Sequence, residues 1–271
     1  MITSATNPTI KLIRLLGAPT PARRQAEQAF LVEGVRALEE ALNSGREPRL
    51  VLYDDAALER TARGASLLAR LRAHRAAQPA TPAALAAAAE TVHSQGVVGI
   101  FPFLTWPPPA AGASPPLALV LDGLKDPGNL GTILRTAEAA GITGVWLTPE
   151  CVDLYNPKVV RGAMGAHFRL PAWPDADWPT IRADLARLGI TQRTALDAGA
   201  ATPYDALDWR APAALIVGSE AHGLSPTARA AATMRAAIPM PGQAESLNAG
   251  VAAAIVLFEA LRQRRHVASS T

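Results

Sequence analysis

Between Trp106 and Pro116 the chain reads WPPPAAGASPP, and five prolines in eleven residues forbid both a helix interior and a central strand there. What lies on either side must fold around its own core. This predicts an N-terminal domain over 1–105, a linker over 106–116 and a C-terminal domain over 117–271. A chain of 271 residues has room for two such cores, and 49% hydrophobic against 18% charged residues is too apolar for intrinsic disorder. The longest clean apolar run, Val251 to Phe258, falls far short of the roughly 18 residues needed to cross a bilayer. The first sixteen residues lack the leading charge and apolar core of a secretory signal, so a cytoplasmic protein with no membrane span is expected. One cysteine, Cys151, allows no internal disulfide, and no cluster of His, Cys and Asp stands at metal-ligand spacing, so no metal is expected.

In the first domain, Phe30–Val32, Leu50–Tyr53 and Val97–Phe101 read as strands, and Val35–Asn43, Ala56–Ala77 and Pro82–Thr91 as helices. In the second, an apolar strand over Leu117–Leu121 ends in Asp122. A Pro-Gly turn and a helix carrying Leu130, Ile133, Leu134 and Ala137 follow, and beyond Gly141 comes a strand over Val145–Leu147. Such a βαβ unit predicts parallel, buried strands and an α/β fold. Ala214–Val217 is a further strand, ending at Gly218, and Leu247–Arg262 is the final helix. Leu247, Val251, Ile255, Phe258 and Leu261 are expected on its buried face.

Three segments of the second domain share one design, in which an apolar stretch runs into a Gly-containing loop with polar residues. In open α/β sheets, ligands bind at such strand ends. The first, LDGLKDPGNLGTILRTA (Leu121–Ala137), places Gly128 and Gly131 for close backbone approach, Asn129 as a candidate helix cap and Arg135 further along the helix. Neither a Walker loop nor the GxGxxG fingerprint is present. The second, LIVGSEAHGLS (Leu215–Ser225), carries Glu220, either a ligand-facing carboxylate or a solvated loop acid. The third, IPMPGQAESLNAGVAAA (Ile238–Ala254), places Ser246 at the N-cap of the last helix and Asn248 in its first turn. Capping accounts for Ser246 but not for a polar Asn248 opening an apolar helix.

Together, in this order, the three segments resemble the SpoU/TrmH group of the SPOUT superfamily, S-adenosylmethionine-dependent RNA 2'-O-methyltransferases. The resemblance spans Leu117–Arg262 and continues through DLYNPKVVRGAMG (Asp153–Gly165). Asn7-Pro8 to Lys11 and FLVEG (Phe30–Gly34) resemble the ribosomal-protein-like substrate-binding domain attached to many members. It implies an α/β protein: a C-terminal parallel-sheet SPOUT domain with a deep trefoil knot, plus a smaller N-terminal α/β RNA-binding domain. It also implies a homodimer whose subunits together complete the RNA site. Carried over by position, Gly218, Ile238 and Leu247 would hold S-adenosylmethionine through their backbone. Asn129, Arg135, Glu220, Ser246 and Asn248 would form the polar catalytic cluster. The implied reaction is methylation of a ribose 2'-OH in structured RNA, with rRNA as the expected substrate. The alternatives are a tRNA substrate, or an inactive RNA-binding protein of the same fold. Two departures from the common pattern are Ala221, where glycine is frequent, and Leu-Asn-Ala-Gly in place of Leu-Asn-Val-Ser.

The chemistry sets its own requirements. A ribose 2'-OH is a poor nucleophile at neutral pH, so transfer needs its proton removed or the developing alkoxide stabilised. A guanidinium keeps its proton, which suits Arg135 to binding phosphate and alkoxide, with Glu220 and Asn129 orienting it. A sulfonium donor carries its own leaving group and needs no metal. The net charge is +3, with 12 basic and 9 acidic residues up to Pro107 and 14 of each from Leu117 onward. The basic excess therefore lies in the N-terminal part, and Arg23 and Arg24, expected in a loop before the Phe30 strand, are candidate RNA phosphate contacts.

Overall fold

A computed structural model describes residues 1–88, 95–112 and 114–268 and divides the chain into two compact units. The first comprises Met1–Thr105 together with Tyr155–Arg169, and the second Trp106–Leu154 with Leu170–Thr271.

The first unit opens with α1 (Pro8–Gly17), which starts where it does because Asn7 Oδ1 accepts the Thr9 N–H at 2.8 Å and Pro8 needs no donor partner. Its Ile10, Ile13 and Leu16 are buried at helical spacing. Next come α2 (Ala22–Glu27), β1 (Ala29–Glu33), α3 (Val35–Asn43) and β2 (Leu50–Tyr53). The single long helix expected over Ala56–Ala77 is instead α4 (Asp55–Leu58), α5 (Ala62–Arg72) and β3 (Ala77–Pro79). The break arises at Thr61, whose hydroxyl accepts the Gly64 N–H at 3.0 Å and restarts the helix, while a Cβ on Gly64 would overlap the Leu58 carbonyl. Then follow α6 (Pro82–Ala88), whose expected extension to Thr91 lies outside the described residues, and β4 (Val97–Pro102). Among the described residues the sheet order is β1-β4-β2-β3, with β4 antiparallel to both neighbours and β2 parallel to β3.

Arg24 requires a correction. It lies in α2, not in a loop, is fully buried, and donates to the carbonyls of Leu16 at 2.8 Å, Ala18 at 2.5 Å and Pro19 at 3.3 Å. It closes the end of α1 and presents nothing to RNA. Arg23, on the same helix, is exposed and paired with Glu27 at 2.6 Å.

The second unit begins with β5 (Leu117–Asp122), α7 (Pro127–Ala139) and β6 (Gly144–Leu147). The chain then supplies α8 (Pro157–Ala163) to the first unit, where Tyr155 packs on Phe30 with ring centroids 4.6 Å apart and on Phe103 at 4.2 Å. It returns with β7 (Ala172–Trp173), α9 (Trp178–Arg187), β8 (Gln192–Leu196), β9 (Ala213–Gly218), α10 (Pro226–Ala231), β10 (Met234–Ala236) and α11 (Ala249–Ala268). Its sheet runs β10-β8-β9-β5-β6-β7, every pair parallel. Central strands β5 and β9 are buried along their whole length, as expected of a parallel sheet covered on both faces. Their register pairs Asp122 with Gly218, so the loops that follow both strands leave the sheet side by side.

Helix α11 is rotated from the expected face, with Leu247, Ile255 and Leu261 half-buried at its edge. Ala249, Ala252, Ala253, Val256, Leu257 and Ala260 are buried, while Val251 and Phe258 are 49% and 48% exposed. The four alanines of this face let α11 pack on α7 and β9, with Val256 and Leu257 filling the contact, and leave Val251 and Phe258 outside. Further along α11, the Arg264 guanidinium donates to Trp209 O at 2.7 Å, Pro115 O at 2.6 Å and Ala211 O at 2.9 Å, fastening the end of the proline-rich segment. Burial lowers the pKa of this guanidinium. Among the described residues no helix is long and apolar enough to cross a membrane.

Candidate active site

Asp126, not Asn129, caps α7. Its Oδ1 accepts the Asn129 N–H at 2.7 Å, and Pro127 follows at the first helical position. The Asn129 side chain is therefore free to face outward. Asn248, not Ser246, opens α11, accepting the N–H groups of Gly250 at 2.9 Å and Val251 at 3.2 Å on its Oδ1. That contact fixes the amide, because with its oxygen on the helix only Nδ2 remains, and it donates to Asn129 Oδ1 at 2.8 Å. Asn129 is thereby fixed in turn, and its Nδ2 donates to Glu220 Oε1. One residue from each of the three sequence segments thus joins a single directed chain of hydrogen bonds, from the start of α11 to a carboxylate.

Glu220 sits on a tight loop closed by Ser219 N–H to Gly223 O at 3.0 Å and Gly223 N–H to Ser219 O at 2.9 Å. A Cβ on Gly218 would overlap the Gly223 carbonyl and stand 2.7 Å from Leu224 N, so this turn requires glycine at its base. The loop is tied to the sheet by Asp122. Its buried carboxylate accepts the Ser225 N–H at 2.6 Å and the Ser225 hydroxyl at 3.1 Å, and Ser225 Oγ accepts the Ala228 N–H at 3.1 Å to cap α10.

Two hollows meet at this loop. The first, about 240 Å³, is walled by Val217, Gly218, Ile238, Met240, Leu247 and Ala252, with Asp197, Glu220, Arg229 and Ser246 as polar groups. The second, an open cleft of about 690 Å³, is lined by Lys125, Asp126, Asn129, His222 and Asn248, and shares Ser219 and Glu220 with the first. The geometry therefore collects Gly218, Ile238, Leu247 and Ser246 in one cavity and Asn129 and Asn248 in the other, with Glu220 on the wall between them. Arg135 is not brought in. It lies on the exposed side of α7, outside the residues lining either hollow. Asp122, Asp126, Asp197 and Arg229 are site residues that sequence reasoning passed over. Only Asp126 carried a local signal, as a capping acid directly before a proline. Among the described residues no group of three or more His, Cys, Asp or Glu could hold a metal ion.

Comparison with known proteins gives two family matches, the SpoU rRNA Methylase family over residues 116–258 and an MRM3-like substrate binding domain over 7–99. An uncharacterized tRNA/rRNA methyltransferase of Synechocystis sp. is 36% identical, over 97% of this chain and 94% of that protein. The 23S rRNA (guanosine(2553)-2'-O)-methyltransferase RlmP of Bacillus subtilis is 33% identical, over 95% of this chain and 97% of that one. The crystal structure of the SpoU methyltransferase AviRb from Streptomyces viridochromogenes, in complex with the cofactor AdoMet, superposes with a TM-score of 0.84 at 29% identity, covering 96% of this chain and 98% of that one.

Proposed function

This chain belongs to the SpoU rRNA methylase family, and we propose that it transfers a methyl group from S-adenosylmethionine to a ribose 2'-OH of ribosomal RNA. The observation that carries this reading is the placement of Glu220 and its hydrogen-bonded partners Asn129 and Asn248 where the two hollows meet. A two-substrate transfer needs donor and acceptor on either side of a shared polar wall.

The residues present suit the donor. The smaller cavity offers apolar walls for a purine face, and backbone at the end of β9 and at Ile238 and Leu247 for its polar edges. Bound there, S-adenosylmethionine supplies an electrophilic methyl whose sulfonium needs no further activation. The chain's part is to hold the acceptor. Glu220, oriented by Asn129, accepts a hydrogen bond from the ribose hydroxyl, and Lys125 and His222 border the cleft that receives the flanking phosphates. Arg135 stabilises the alkoxide as it forms.

Because Arg135 stands outside both hollows, we assign it to the site of a second copy. The exposed Val251 and Phe258 stripe of α11, the helix packed on α7, is the face through which two copies pair, and Arg135 of the partner subunit completes each acceptor site. Residues 1–105 select the RNA, with Arg23 among the phosphate contacts. Residues 106–116 are the linker and 117–271 carry the chemistry, with the trefoil threading of the family and a cytoplasmic setting as parts of the same reading.

The test is transfer of labelled methyl from S-adenosylmethionine to separated rRNA and tRNA pools, comparing wild type with Arg135→Ala. Label in rRNA that drops at least a hundredfold in the variant supports the reading. Label confined to tRNA would replace the substrate, and RNA binding with no label in either pool would replace the enzyme by a binding protein.

A further inference from the structure

Among the described residues that line the smaller cavity, Arg229 is the only cation. Its guanidinium is held from two sides, Nη1 donating to Asp197 Oδ2 at 3.0 Å and Nε to Leu224 O at 3.3 Å. Asp197 is itself fixed, because its Oδ1 accepts the Gly199 N–H at 3.1 Å and its Oδ2 lies 3.5 Å from Arg235 Nη1. The remaining Nη2 makes no hydrogen bond among the described residues and stands 3.8 Å from where a Cβ on Gly223 would be, beside the Glu220 loop. The side chain is 47% exposed, open to whatever enters. An arginine that lines a cavity, is fixed at two nitrogens and has a third unbonded is arranged to take an oxyanion.

Resting on the proposed use of S-adenosylmethionine, we propose that Arg229 recognises the α-carboxylate of the donor, with Asp197 as the positioning residue that aims it. The donor has two cationic centres, ammonium and sulfonium, and a single anion, so its carboxylate and this lone cation are matched by charge as well as by chemistry. The cavity then tells a complete amino-acid moiety from a truncated one. Asp197 contributes by holding the fork in place, since an untethered arginine would lose rotamer freedom on each binding event.

The experiment is isothermal titration of the full chain, without RNA, with S-adenosylmethionine and with its decarboxylated analogue, S-adenosyl-3-methylthiopropylamine. Wild type, Arg229→Gln and Arg229→Lys are compared. Wild type should prefer the carboxylated ligand by about tenfold to a hundredfold. Arg229→Gln should bring that ratio close to one while binding the analogue as wild type does, and Arg229→Lys should keep part of it. An unchanged ratio in Arg229→Gln, or equal weakening of both ligands, would assign Arg229 a structural role and overturn the proposal. Binding of neither ligand to wild type would overturn the donor reading beneath it.

Discussion

Asn129 shows how one side chain's role depends on which neighbour caps the helix. Because Asp126 satisfies the first turn of α7, the Asn129 amide is left to connect Asn248 with Glu220, as acceptor from one and donor to the other. Asn129→Asp keeps the size but removes the donor and sets a carboxylate against Glu220. We expect methyl transfer to fall at least a hundredfold with a melting temperature near wild type, measured by kcat and by thermal unfolding. Sequence made Asn129, Glu220 and Asn248 visible as polar intrusions in apolar segments, but not the direction of their bonds, which follows from the backbone at the two helix starts. Arg23 and Arg24 mark the limit of such reading. Adjacent and identical in type, they differ only in which side of α2 faces the end of α1. Arg24→Ala strands three carbonyls and should cost about 2–4 kcal/mol of stability by denaturant titration. Arg23→Ala should leave stability within about 0.5 kcal/mol and lower RNA affinity instead.

At the level of elements, the site depends on the register that sets the ends of β5 and β9 together. Asp122 holds the loop after β9, and Gly218 gives it room to turn. Gly218→Ala should displace that loop and weaken S-adenosylmethionine binding at least tenfold, read by calorimetry, with the fold retained by circular dichroism. The apolar strands β1, β2, β4, β5, β6 and β9 were legible, because a continuous apolar run bounded by glycine and proline has few other readings, whereas the short or polar strands β3, β7, β8 and β10 carry no such run and were not. The long helix expected over Ala56–Ala77 was not, since alanine fits every face and hides a break that Thr61 and Gly64 impose. Alanine also explains α11. Periodicity picks out the large apolar residues, whereas the face that packs is mostly alanine, with Val256 and Leu257 among it.

Across the whole molecule, the proline-rich segment separates two hydrophobic cores, yet the division in space is not a single cut. Tyr155–Arg169 leaves the second unit and adds Tyr155 and Phe168 to the aromatic cluster around Phe30 and Phe101. No local pattern announces that exchange, which depends on contacts between residues more than fifty positions apart. The outward stripe of α11 makes the pairing of two copies testable. The wild-type chain of 28.3 kDa should sediment at twice its mass, and Phe258→Asp should shift it to the single mass and reduce methyl transfer without changing donor affinity.

Whether a ribose hydroxyl is the acceptor is decided by methylating ribosomal RNA with labelled S-adenosylmethionine, digesting the product to nucleosides and locating the label. The expected result is label in a 2'-O-methylnucleoside, and label on a base methylated at carbon or nitrogen would contradict the assignment of the cleft.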